Sequence, residues 1–75
     1  MNWRELIWID PDRMHGVPCM HGTRIPVYVI LDNLAAGESA QTILAQYPSL
    51  RQEHIPAAIA YAAELAHERV VPIPV

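Results

Sequence analysis

Three residues with ligand or nucleophile chemistry lie close together in this sequence: His15, Cys19 and His21. Thiolate and imidazole are the ligands that zinc takes up most readily. The same pair could serve as nucleophile and base. Just before them stand Asp10 and Asp12, a candidate carboxylate pair, and just after them Thr23 and Arg24. Each reading weakens on inspection. A structural zinc site needs four ligands at paired spacings, and no fourth is evident. Residues two apart on a strand rarely meet at hydrogen-bond distance, and nothing supplies an oxyanion hole. Asp10-Pro11-Asp12 is ordinary turn chemistry. The sequence is therefore read as a non-enzyme with no cofactor and no metal.

The elements that must position these residues follow from the local patterns. Leu6 to Ile9 is a short apolar run closed by Asp10-Pro11-Asp12, and reads as a strand. Val17 to Met20 is a second strand candidate, followed by a turn at His21-Gly22. Thr23 to Ile25 is extended, because the residue before Pro26 is pushed away from helical angles. Residues 1–25 thus form a β-hairpin or two small β segments. Residues 26–68 form three helices. Pro26 suits a first helical position, with Thr23 as a cap. Val27, Ile30, Leu31 and Leu34 share one face of this helix, and Gly37 closes it. Ser39 caps a second helix from about Ala40 to Tyr47, ended by Pro48. A third helix carries Ile55, Ala58, Ile59, Ala62, Leu65 and Ala66 at helical offsets as its core face. A start at Ser49 would bury Pro56 inside the helix, so a late start or a kink is expected. The last two helices resemble a helix-turn-helix. Residues 69–75 form an extended apolar tail in which Pro72 and Pro74 forbid a helix.

Composition limits the partners. The chain has 75 residues, of which 52% are apolar and 17% charged. That is more apolar material than a small core needs, so an oligomer, with a dimer favoured, or a protein complex is expected. There is no lysine, and the net charge of −3 falls entirely on residues 27–75. Tight nucleic-acid binding needs clustered cations. DNA binding by the chain alone should be weak, drawing on Arg13, Arg24 or Arg51. The single cysteine excludes an internal disulfide. No apolar run reaches the ~20 residues needed to span a bilayer, and no signal peptide is read at the start, so a cytoplasmic protein is expected.

Base reading in the major groove calls for Arg, Lys, Asn or Gln. The outer face expected of the third helix offers Glu53, His54, Ala57, Ala60, Tyr61, Glu64 and His67 instead. This small, acidic face favours packing against another protein chain. The expected partner or oligomer interface is Trp8, Ala57, Ala60, Tyr61 and Glu64, extended by Val71 and Ile73 of the tail. Trp3 and Trp8 are read as packing or interface anchors.

Several blocks together resemble a known family. They are Ile9-Asp10-Pro11, Gly16-x-Pro18-Cys19, and His21-Gly22-Thr23-Arg24-Ile25-Pro26-Val27. They continue as Leu34-Ala35-x-Gly37-x-Ser39, Ile43-Leu44-x-x-Tyr47-Pro48-x-Leu50, and Ile55-x-Ala57-Ala58-Ile59-x-Tyr61-Ala62. The pattern is similar to the domain-of-unknown-function family 433, small bacterial and archaeal proteins proposed as antitoxins. The resemblance implies a mainly α fold, a homeodomain-like three-helix unit behind a small β segment. It also implies a partner, a PIN-like ribonuclease toxin that the chain would bind and neutralise in a type II toxin–antitoxin pair. Two other functions fit the residues: a dimeric helix-turn-helix autoregulator on DNA, and a homo-oligomeric structural module. The chain departs from the family pattern at His21, where Arg is frequent, at Arg51, where a small polar or acidic cap is usual, and at Pro56.

Overall fold

The structure is a computed structural model that describes residues 2–12 and 14–68. Arg13, and the tail from residue 69 with Val71 and Ile73, lie outside the described residues. Among the described residues the architecture is mainly helical, with three helices and a two-stranded antiparallel sheet near the N-terminus.

The chain opens with a 3-10 turn, Trp3–Leu6, rather than with strand. Asn2 starts it by accepting the Arg4 N–H on its side-chain oxygen at 3.2 Å. Strand β1, Ile7–Trp8, then pairs antiparallel with β2, Cys19–Met20. The register sets Ile7 opposite Met20 and Trp8 opposite Cys19, so the pairing lies within one chain. Both strands are shorter than their apolar runs. Such a pair is marginal alone, and here backbone hydrogen bonds tie it to residues 25–27. The Val27 N–H donates to the Pro18 carbonyl at 2.9 Å, and the Met20 N–H to the Ile25 carbonyl at 2.9 Å.

Helix α1, Val27–Ala35, comes next; Pro26 is its N-cap residue, so the helix begins one residue later than the sequence indicates. No side chain caps α1. Thr23 instead serves the preceding turn: its hydroxyl donates to the Met20 carbonyl at 2.8 Å and accepts the Ile25 N–H at 3.0 Å. The expected helix cap is corrected to a turn clamp. Gly37, at φ +90°, ends α1 in a Schellman arrangement. Its N–H reaches the Leu34 carbonyl, and the Glu38 N–H reaches that of Asn33, each at 3.0 Å.

Helix α2, Ala40–Gln46, is capped as expected, with Ser39 Oγ accepting the Thr42 N–H at 3.1 Å. Helix α3, His54–Glu68, takes the late start that the sequence leads one to expect, well after Ser49. That places Pro56 in the first turn, where a backbone N–H has no partner within the helix, and the proline costs little.

The core joins Ile7 and Met20 of the sheet to Val27 and Ile30 of α1, Ile43 of α2, Leu50 of the turn, and Ile55, Ala57 and Ala58 of α3. The 3-10 turn packs on the far half of α3. The Trp3 ring meets Tyr61 edge-on, and Arg4 Nη2 reaches Glu64 Oε1 at 3.1 Å.

Candidate interaction surfaces

Of the chemistry-bearing residues of the β segment, Asp10, Asp12, Cys19, Thr23 and Arg24 border one pocket of about 400 Å³, and His15 and His21 do not. It is lined by Trp8, Asp10, Asp12, Val17, Cys19, Thr23 and Arg24. The lengths of β1 and β2 decide this: both strands stop after two residues, and the chain turns away on each side. Asp10 Oδ1 accepts the Asp12 N–H at 2.9 Å, the turn chemistry that Asp-Pro-Asp encodes. Arg24 is exposed on the rim. Trp8 is half-buried and meets the His21 ring edge-on at 4.2 Å.

The pocket holds a cysteine but no activated nucleophile. Cys19 is buried, and burial pushes its thiol pKa up. Its Sγ donates to the Val17 carbonyl oxygen at 3.4 Å. His21 packs on Trp8, and His15 stands exposed at φ 54° in the preceding loop. Among the described residues, no three His, Cys, Asp or Glu side chains converge on a metal position.

The faces of α3 differ from the sequence reading, by about one residue of helical rotation. Ala57 is fully buried and belongs to the core. Its place in the expected interface is therefore corrected, and so is that of His54 on the outer face, since His54 is 3% exposed. Conversely, Ile59 and Leu65, expected in the core, are 49% and 44% exposed. The cause is the 3-10 turn. By docking Trp3 on Tyr61 and Arg4 on Glu64, it claims the flank on which Tyr61 and Glu64 lie. Tyr61 and Glu64 are half-buried through these contacts within the chain. Ala60 is half-buried too. The outward surface of α3 thus runs through Ile59, Ala63, Leu65 and Ala66.

That surface has no group suited to reading bases. Helix α3 contains no Arg, Lys, Asn or Gln. Arg51 lies in the turn before it, exposed, with Nη1 3.6 Å from Glu53 Oε1. Exposed Tyr28 on α1 and Ile9 beyond β1 add apolar surface elsewhere. Among the described residues, no helix is long and apolar enough to cross a membrane.

On α3, the sequence pattern places His54, Ala57, Ile59, Leu65 and Ala66 on the wrong face. For His54 a signal existed: it stands three residues after Arg51, the offset at which a side chain reaches back to a free amide in a capping box. For Ile59 and Leu65 there was none, because a helix rich in alanine supports two neighbouring apolar faces equally well.

Comparison with known proteins places this arrangement among others. A family described as "Protein of unknown function (DUF433)" matches residues 7–62. The "Uncharacterized protein y4eO" of Sinorhizobium fredii (strain NBRC 101917 / NGR234) is 42% identical over 59 residues. That match takes in 79% of this chain but 27% of y4eO, so the chain spans about a quarter of that relative's length. The crystal structure of a DUF433 member protein from Anabaena variabilis ATCC 29413 superposes with a TM-score of 0.75 at 30% identity. It covers 84% of this chain, which spans 62% of that one.

Proposed function

The chain belongs to the DUF433 family of proteins of unknown function, and from that premise we propose that it is a protein-binding module. In this reading it is the antitoxin of a type II toxin–antitoxin pair and covers the active site of a PIN-like ribonuclease. The observation that carries a protein partner is the outward surface of α3. It offers half-exposed Ile59 and Leu65 beside alanines, and no side chain suited to base edges or phosphates. The nuclease as partner rests on the resemblance to the family, not on this surface. The chain acts without catalysis, metal or cofactor, in the cytoplasm, and associates as a dimer. Its contact surface includes Ala60 and the exposed apolar residues of α3, with Trp8 as a second anchor.

A dimeric autoregulator on DNA is the second reading. Exposed Arg24 and Arg51 favour it, and would hold phosphates. The acidic balance of residues 27–75 opposes it. Co-expression with the product of the adjacent gene separates the two. With this chain alone tagged, the neighbour co-elutes and cleaves RNA only after the chain is stripped away. Elution of the chain as a lone oligomer beside an inactive neighbour overturns the antitoxin reading. Binding to DNA that weakens steeply with salt would then support the second.

A further inference from the structure

The start of α3 carries a buried titratable group that the proposed function does not use. His54 Nδ1 accepts the Arg51 backbone N–H at 2.9 Å, while the His54 N–H donates back to the Arg51 carbonyl at 3.0 Å. The ring reaches back over three residues, the offset that the Glu or Gln of a capping box spans, here to an amide in the turn before α3. Unlike those side chains, imidazole can be an acceptor only while one nitrogen is unprotonated. The bond therefore places the proton of the neutral ring on Nε2. A proton on Nδ1 would set one N–H against another and leave a buried cation, since His54 is almost wholly shielded from solvent.

We propose that His54 is a proton-operated latch, closing the turn before α3 when neutral and releasing it when protonated. The groups that face it come from two elements. In the turn, the Glu53 carboxylate favours the cation and the Arg51 guanidinium opposes it. From the β segment, His21 also opposes it. Glu53 is half-exposed and faces Arg51, so its pull is screened. Burial is the largest influence and holds the His54 pKa below its ordinary value. Hence the unfolded chain binds the His54 proton first. Stability is full above the unfolded value of about 6.5, falls as pH drops from there, and levels once folded His54 is protonated.

The test is a titration of the full chain from about pH 7.5 to about pH 5, followed by NMR and thermal melting. Histidine ring shifts should show the Nε2–H tautomer for His54, and its protonation at lower pH than the ordinary imidazole value of about 6.5. The Arg51 amide should move and lose exchange protection with that step. The melting temperature should fall by about 5–10 °C over the range. In His54→Asn, which keeps an acceptor but no titratable group, at least half of that fall should vanish. Should this variant not fold, the wild-type titration decides alone. Titration of His54 at or above the ordinary imidazole value of about 6.5, or an Arg51 amide indifferent to it, overturns the latch.

Discussion

The Trp3 indole stands edge-on to the Tyr61 ring, with centroids 5.9 Å apart and planes at 76°. Over the same indole lies the Arg4 guanidinium, 4.5 Å from its centroid, which also bonds Glu64. The 3-10 turn is thereby fastened to α3. Trp3→Ala should cost about 2 kcal/mol, combining lost burial with the aromatic pair. Arg4→Ala should cost about 0.5 kcal/mol or less, since the Arg4–Glu64 pair is largely exposed. Urea unfolding of both variants measures the difference.

Ala57 and Ile59 stand two residues apart on α3 and on opposite sides of the fold boundary. Ala57→Glu forces a carboxylate into the core and should destabilise the fold by about 3 kcal/mol or more. Ile59→Glu meets solvent and should change stability by about 0.5 kcal/mol or less. Binding to a protein partner should instead weaken about ten-fold in Ile59→Glu. Thermal melts and a co-elution titration check the two halves; equal stability losses would place the helix face wrongly.

Thr23 makes two hydrogen bonds that hold the turn between the sheet and α1. Thr23→Val keeps the shape and removes both. The expected loss is about 1–2 kcal/mol, and Thr23→Ser should recover most of it. Chemical denaturation of the pair of variants settles whether the hydroxyl or the methyl matters.

Cys19 is buried and its thiol is held above the ordinary range. Reaction with Ellman's reagent at neutral pH should therefore be at least about a hundred-fold slower in the folded chain than in denaturant. A fast native reaction would mean that the pocket beside Trp8 opens to the reagent.

Legibility in the sequence tracked the physics of each element. The ends of α1 and α2 were readable because Gly37 and Ser39 act locally, through a left-handed conformation and a hydroxyl. The family pattern was readable from the same local blocks, and the match over residues 7–62 agrees with it. The face of α3 was not readable. Alanine commits to neither side, and the choice was made by Trp3 and Arg4, far away in sequence. The role of Thr23 is not legible either, because the same hydroxyl can cap a helix or clamp a turn, and only the path of the chain decides.

The bond between Arg4 and Glu64 joins positions 60 residues apart. Closing so large a loop carries an entropy cost that local helix formation does not repay. On the ribosome, the 3-10 turn leaves before α3 and waits, undocked, until nearly the whole helical unit has been synthesised. A nascent chain stopped before Tyr61 would expose the Trp3 ring and the apolar sheet face together. Folding is therefore committed late, and truncated products should be quickly recognised by chaperones and proteases.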